Sequence, residues 1–308
     1  MRYLFYTVDV FTDSIFGGNQ LAVFPHSQGL NSEQMQSIAR EFNFSETVFV
    51  FDALQGNIAK KLRIFTPTKE IPFAGHPTIG TAYLLAASGE IPLNKDLETI
   101  NFQEGVGTIS VKIRSQNRRP TYVELTAAKL PEFGPQPPSN RDLAAMLSLN
   151  IEDLLKDSIN YPRAICCGIP FLFIPLVDRR AVAAASLDLN IWQQVLKTFW
   201  ASSAYVFSYD PELKDSAVRS RMFAPGLGVA EDPATGSAAT ALAAYLGVLS
   251  PKSDGILSWQ IEQGFEMGRP SILEAIACKQ DGKIIATGVG GTAVLVAEGT
   301  MEVPEIKD

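Results

Sequence analysis

The sequence predicts an α+β protein of two pseudo-symmetric lobes, each a curved sheet wrapped around one central, buried helix. Three observations carry this prediction. An internal repeat runs through most of the chain, short apolar runs of strand length dominate, and two stretches are apolar on nearly every helical face.

The repeat is ordered. Residues 63–82 read RIFTPTKEIPFAGHPTIGTA and residues 221–238 read RMFAPGLGVAEDPATGSA. Upstream, LNSEQMQSIAREFNFSETVFVF (30–51) answers LDLNIWQQVLKTFWASSAYVFSY (187–209), and GGNQLAVFP (17–25) answers CGIPFLFIP (167–175). Apolar strands and Gly/Pro turns resemble one another anyway, but that explains single blocks and not three blocks in one order at an offset of about 155 residues.

The elements follow in chain order. Period-2 or continuous apolar runs at 3–8, 22–24, 48–51, 62–65 and 108–113 read as strands. A helix follows Asn31, where Gln34 completes a capping-box pattern. A second helix begins at Pro77 and its counterpart at Pro233, with Gly89 and Gly247 placed past their ends. These second helices, TIGTAYLLAAS and ATGSAATALAAYL, lack a polar face, so they are buried all round. A sheet curved around each would cover the helix and remove its own edges. The Pro-rich stretch 131–138 marks the crossover. The division is therefore 1–130 for the lobe carrying Glu46 and His76, completed by a C-terminal strand at 292–308, and 131–291 for the lobe carrying Asp232. The two lobes are expected to face each other across a cleft.

Composition narrows the function. The 308 residues carry 26 basic against 33 acidic side chains, a formal charge of −7, with 46% hydrophobic and 19% charged residues. An acidic balance without a Lys/Arg stripe lacks the footprint of a nucleic-acid binder. The longest strongly apolar stretch without charge, 164–177, is broken by Pro170 and Pro175 and falls short of a membrane span. The N-terminal apolar run stops at Asp9 and Asp13, too early for a secretory segment, so a cytoplasmic protein is expected. Cys166, Cys167 and Cys278 are an odd count with two adjacent, which argues against a disulfide framework, and two histidines without a CxxC pair argue against zinc. Gly288-Val-Gly-Gly-Thr-Ala293 satisfies the letters of a dinucleotide fingerprint, but the run that follows reads as a strand, so that reading fails. Neither a P-loop nor a GxSxG is present.

Duplication preserves packing, so positions where the copies differ in chemical type point to function. Glu46 follows Ser45 in the first copy, whereas Ala204 follows Ser203 in the second. At the helix openings His76 stands opposite Asp232. Glu46 lies among Phe42, Phe44, Val48 and Phe49, where desolvation would raise a carboxyl pKa. His76 sits where an N-cap belongs, yet histidine caps poorly, and a helix N-terminus would keep its ring neutral. Asp232 before Pro233 is equally a good cap and a candidate acid. Gly75, Gly236 and Ser237 lie where free backbone N–H groups would make a carboxylate or oxyanion site. Arg63 and Arg221 match across the repeat and read as a shared structural ion pair. His26 reads as a surface residue, and Asn19 as a turn residue first and a substrate contact second.

Ser45-Glu46-Thr47, Phe73-Ala-Gly-His-Pro-Thr78, Glu231-Asp-Pro-Ala-Thr-Gly-Ser-Ala238, Gln263-Gly264 and Gly268-Arg-Pro-Ser271 together resemble the PhzF family of phenazine-biosynthesis-like proteins. The likeness covers nearly the whole chain, with Gln20 departing where members often have proline after Gly-Asn. It implies the diaminopimelate-epimerase-like fold, in which each lobe is a β-barrel around a central helix and the active site lies between the lobes. It implies a cofactor-independent isomerase, usually a homodimer, with Glu46 as acid/base. It also implies that Gly75, His76, Asp232, Gly236 and Ser237 line the pocket. Epimerases of that fold use a cysteine pair, and none of Cys166, Cys167 or Cys278 falls in the helix-opening motifs.

The expected chemistry is proton transfer between two carbons of a small carboxylate-bearing substrate. Glu46 would move the proton, and His76 and Asp232 would orient the substrate and stabilise the developing charge. One carboxylate on one face favours a double-bond shift. A two-base epimerase using Glu46 and Asp232, and a non-catalytic small-acid binder, are the alternatives.

Overall fold

The computed structural model describes residues 1–53 and 56–304. In chain order its elements begin with β1 (Arg2–Val10), β2 (Asn19–Phe24), α1 (Ser32–Phe42), β3 (Glu46–Asp52), β4 (Lys60–Phe65) and β5 (Glu70–Ile71). There follow α2 (Gly75–Ala87), β6 (Leu97–Glu104), β7 (Gly107–Gln116), β8 (Arg119–Thr126), β9 (Glu132–Phe133), α3 (Asn140–Met146), β10 (Arg163–Cys166) and β11 (Pro170–Pro175). The chain then forms α4 (Arg179–Ala184), α5 (Leu189–Val195), β12 (Ser203–Ser208), β13 (Val218–Ala224) and β14 (Val229–Asp232). It closes with α6 (Gly236–Leu249), β15 (Gly255–Gln263), β16 (Ser271–Gln280), β17 (Lys283–Gly291) and β18 (Ala293–Glu302). This is a mixed α+β fold dominated by sheet. The chain divides into one unit of Met1–Ala128 with Gly290–Asp308 and a second of Lys129–Val289.

In the first unit β1 pairs antiparallel with both β18 and β2, β2 runs parallel to β3, β3 antiparallel to β4, β4 parallel to β6, and β6 antiparallel to β7. The second unit repeats the pairing order. There β10 is antiparallel to β11, β11 parallel to β12, β12 antiparallel to β13, β13 parallel to β15, and β15 antiparallel to β16. In each unit a short strand, β5 or β14, pairs antiparallel with the fourth strand of this series.

Each unit has one helix without a solvent face. All of α2 except Tyr83 and Ala87 is buried, and it packs on β1, β2, β3, β7, β8 and β18. Helix α6 packs on β10, β11, β15 and β16. Burying side chains such as Ile79, Leu84 and Leu85 is worth about 1.5–3 kcal/mol each, and this offsets the absence of side-chain caps on both helices.

Helix α1 is the amphipathic exception. Asn31 accepts from the Gln34 N–H, the Gln34 side chain accepts from the Asn31 N–H, and Asn43 closes the helix in a left-handed conformation. Its buried face, Met35, Ile38 and Ala39, packs in a cluster with Phe24, Phe49 and Phe65.

The helix boundaries differ from the sequence expectation in an informative way. Helix α2 begins at Gly75, so Pro77 is its third residue and His76 its second, inside the first turn and not at the cap. Helix α6 begins at Gly236 with Thr235 as N-cap, which leaves Asp232 and Pro233 outside the helix. Gly247 lies within α6, whereas Gly89, at φ +81°, does follow the end of α2. The matched prolines are therefore Pro72 and Pro233, each three residues before a helix-opening glycine. Pro77 is an additional proline, tolerated because first-turn N–H groups lack helical acceptors anyway.

Arg63 and Arg221 are structural in both copies. Arg63 grips Glu70 of β5 through two nitrogens at 2.7 and 2.6 Å. Arg221 grips Glu231 of β14 at 2.8 and 2.9 Å and donates to the carbonyls of Val182, Ala183 and Ala185 at the end of α4.

Candidate active site

Parallel pairing of β2 with β3 sets Leu21 against Glu46, which brings the start of β2, Asn19, and the start of β3, Glu46, to one end of the sheet. The first turn of α2 supplies the third member. His76 Nε2 lies 3.4 Å from Glu46 Oε2, with the His76 side chain 4% and the Glu46 side chain 15% exposed. Asn19, itself buried, places its side-chain nitrogen 3.3 Å from His76 Nδ1.

The protonation of this array follows from donors and acceptors. An amide nitrogen only donates, so this contact fits the neutral tautomer that accepts at Nδ1 and carries its proton on Nε2, facing Glu46. The ring is neutral because burial lowers its pKa to about 3, against a smaller opposing effect of a hydrogen-bonding contact with the Gln20 backbone. At neutral pH Glu46 thus faces an imidazole N–H and not an imidazolium. The Nε2 to Oε2 separation is long for a hydrogen bond.

In the second unit the segment from Asp232 to Thr235 is fastened by one side chain. Gln263, fully buried at the end of β15, donates to the Asp232 carbonyl at 2.7 Å and to Thr235 Oγ1 at 3.0 Å, and its Oε1 accepts from the Thr235 N–H at 3.1 Å. The Thr235 hydroxyl donates to Asp232 Oδ2 at 2.7 Å. Asp232 is 6% exposed. Gly264 follows in a left-handed conformation at φ +78°, and a Cβ there would lie 2.5 Å from the Pro233 carbonyl oxygen, so only glycine lets the two segments close.

The sequence-derived residues accordingly fall into two groups. Asn19, Glu46, Gly75 and His76 belong to the first unit, and Asp232, Gly236 and Ser237 to the second. Glu46, His76 and Asn19 form one array. Gly75 and Gly236 are the first residues of α2 and α6, and His76 and Ser237 the second. This corrects the pairing of the repeat, in which His76 was set opposite Asp232: His76 corresponds to Ser237, and Asp232 corresponds to Ile71. The extra Pro77 shifted the sequence alignment.

Sequence reasoning missed Thr235 and Gln263 as the residues that hold Asp232, and it missed Glu104. Glu104-Gly105 ends β6 as Gln263-Gly264 ends β15. The signal was a Glu/Gln-Gly pair recurring near the repeat offset. Among the described residues no group of three or more His, Cys, Asp or Glu is placed to hold a metal ion, and no helix is long and apolar enough to cross a membrane.

The model of a family described as phenazine biosynthesis-like protein matches residues 8–299. An uncharacterized isomerase of Mesorhizobium japonicum is 38% identical over 304 residues, covering 97% of this chain and 98% of that protein. The trans-2,3-dihydro-3-hydroxyanthranilate isomerase of Pseudomonas chlororaphis is 33% identical over 298 residues, covering 96% and 97%. The crystal structure of a PhzF-family phenazine biosynthesis protein from Bacillus anthracis matches with a TM-score of 0.88 at 24% identity, covering 98% of this chain and 100% of that one. That structure shows the fold. The chain belongs to the phenazine biosynthesis-like family.

Proposed function

We propose that the protein is a cofactor-independent isomerase of a small carboxylate-bearing metabolite, with Glu46 as the acid/base. The observation that carries this reading is the array of Glu46, His76 and Asn19, in which a neutral imidazole with its proton on Nε2 faces a mostly buried carboxylate. Its Nε2–H orients and stabilises Glu46 as a base, and a ring with so low a pKa does not compete for the proton.

In the proposed cycle a C–H proton passes to Glu46 and the electron pair delocalises toward the substrate carboxylate as an enolate-like anion. Protonated Glu46 exchanges its acid proton with solvent and delivers a proton to a second carbon on the same face, which shifts the double bond and regenerates the Glu46 carboxylate. First-turn N–H groups at Gly75 and His76 suit the developing negative charge, and Asp232, Gly236 and Ser237 are proposed as the second unit's contribution to substrate binding. Asn19 joins the substrate contacts in this reading. Each unit is taken as a β-barrel around its central helix, and the working form as a cytoplasmic homodimer, as the family likeness implies.

Double-bond migration is favoured over two-base epimerisation because the Asp232 carboxylate already accepts a hydrogen bond from Thr235 at 2.7 Å and is nearly enclosed. The name of the Pseudomonas chlororaphis relative supports a cyclic carboxylic acid as the substrate class. Incubating the protein with trans-2,3-dihydro-3-hydroxyanthranilate and related unsaturated acids in deuterium oxide tests the proposal. Deuterium appearing at a new sp3 carbon without inversion is expected, and no exchange into any acid of the series would leave a passive binder.

A further inference from the structure

We propose that Glu104 is a positioning residue of the first unit's site, held as a neutral carboxylic acid so that Thr78 can close the first turn of α2 beneath His76. Thr78 makes two short contacts with a single hydroxyl proton. Thr78 Oγ1 lies 2.7 Å from the Ala74 carbonyl oxygen and 2.7 Å from Glu104 Oε1. A hydroxyl has one proton, and a carbonyl only accepts. When Thr78 donates to Ala74, the N-cap of α2, the second short contact needs its proton from Glu104.

The burial of Glu104 points the same way. It is 4% exposed, and among the described residues its Oε2 has no hydrogen-bond partner and no basic side chain pairs with it. An ionised carboxylate in that position would leave one oxygen desolvated and unmatched.

The repeat supplies independent support. Glu104-Gly105 at the end of β6 occupies the place of Gln263-Gly264 at the end of β15, since β6 is parallel to β4 as β15 is parallel to β13. Gly105 abuts Pro72, where a Cβ would lie 2.8 Å from the proline Cα, as Gly264 abuts Pro233. The Val106 N–H also donates to the Pro72 carbonyl at 3.1 Å. Both units thus clamp the segment leading into the central helix with the end of the same strand. The second unit uses a side chain that is always neutral, and the first uses the acid isosteric with it.

Burial pushes the Glu104 carboxyl up to about 8, with the Thr78 contact opposing. Other charges nearby are paired with one another or exposed to solvent. At the rim of the adjoining cavity, of about 820 Å³, Asp52 of β3 pairs with Lys60, Arg63 of β4 pairs with Glu70 of β5, and Lys61 of β4 is exposed. On α2 the one titratable group in the first turn is His76, which is neutral.

Imidazole NMR tests the assignment without any substrate, because His26 and His76 are the only histidines. With its own pKa near 3, the His76 ring does not titrate above pH 6, so an inflection there reports a neighbour. In 15N-histidine-labelled protein the His76 resonances should move with a midpoint near pH 8. In Glu104→Gln they should stay flat from pH 6 to 10, at the positions the wild type shows at pH 6. An inflection that survives in Glu104→Gln, or flat wild-type resonances together with no protonated-carboxyl infrared band at pH 7, would overturn the proposal.

If the variant does not fold, infrared spectroscopy of the wild type decides. A protonated-carboxyl band at pH 7 that vanishes by pH 10 supports a neutral Glu104, and its absence at pH 7 overturns it. That the arrangement serves catalysis rests on the role proposed for His76. The titration does not depend on that role, so either can fail alone.

Discussion

The side-chain nitrogen of Asn19 lies 3.3 Å from Nδ1 of His76, a contact that fits the ring tautomer with its proton on Nε2. Asn19→Ala should let the His76 tautomers mix. Asn19→Asp, which offers only acceptors, should move the proton to Nδ1 and raise the ring pKa. Histidine 15N spectra at neutral pH distinguish the three proteins. On an active substrate, Asn19→Ala is expected to cost about tenfold in kcat, the worth of roughly one neutral hydrogen bond. A wild-type ring protonated on Nδ1 would contradict the array.

Glu46→Gln removes the proposed base and retains the shape. Turnover should fall by about 10²–10⁴-fold, the usual contribution of a positioned general base. Thermal unfolding should change little, since Gln can still face His76 Nε2. Retained solvent-deuterium exchange at near wild-type rate would remove Glu46 from its role.

Two buried groups should shape the pH dependence of stability in opposite senses. His76 has a folded pKa of about 3 against about 6.5 unfolded, so the unfolded chain holds the extra proton. Stability is therefore complete above pH ~6.5 and is lost as pH falls toward 3. Glu104 has a folded pKa of about 8 against about 4.5 unfolded, so the folded chain holds the extra proton, and stability falls as pH rises from 4.5 to 8. Each limb amounts to a few kcal/mol. Urea unfolding from pH 4 to 9 should show Glu104→Gln flattening the alkaline limb and His76→Gln the acid limb. A Glu104→Gln variant with no gain relative to wild type at pH 8.5 would count against the buried acid.

The matched arginines should differ in cost. Arg221 is 11% exposed and holds Glu231 together with three carbonyls at the end of α4, whereas Glu70, the partner of Arg63, is 42% exposed. Arg221→Met should cost about 3–5 kcal/mol, as expected when a buried charge loses its partner. Arg63→Met should cost about 1 kcal/mol or less. Chemical denaturation of the two variants checks the order, and equal costs would show that the environments are not distinct.

Much of the architecture was legible because it rests on local rules. The capping box at Asn31 and Gln34, the strands around residues 3–8, 22–24, 48–51, 62–65 and 108–113, and the all-round burial of both central helices each follow from a pattern a few residues long. The helix starts were less legible. Prolines at 72, 77 and 233 offer competing punctuation, and only tertiary packing selects Gly75 and Gly236 as the first residues.

The candidate site divides the same way. Glu46 and His76 stood out as breaks in the symmetry of the repeat, and the structure brings them to 3.4 Å. Glu104 did not stand out, because a glutamate at a strand end usually faces solvent. What makes it unusual is burial beside Thr78, and that depends on a helix distant in sequence. Gln263 was noticed as part of a motif, but its four hydrogen bonds to Asp232, Thr235 and Tyr205 require the parallel register of β13 and β15, which no sequence pattern announces.

The pairing of β1 with β18 has a consequence for synthesis. Strand β1 begins at the second residue, yet its partner Ala293–Glu302 leaves the ribosome only after the whole inserted unit Lys129–Val289 has been made. At translation rates of about 5–20 residues per second, the roughly 290 residues between the end of β1 and the end of β18 take about 15–60 s, during which β1 presents an unsatisfied edge. The inserted unit can mature in that interval, whereas the one bearing Glu46 and His76 cannot complete its sheet until the last strand arrives. Nascent chains stalled before β18 should therefore be the species most dependent on chaperones.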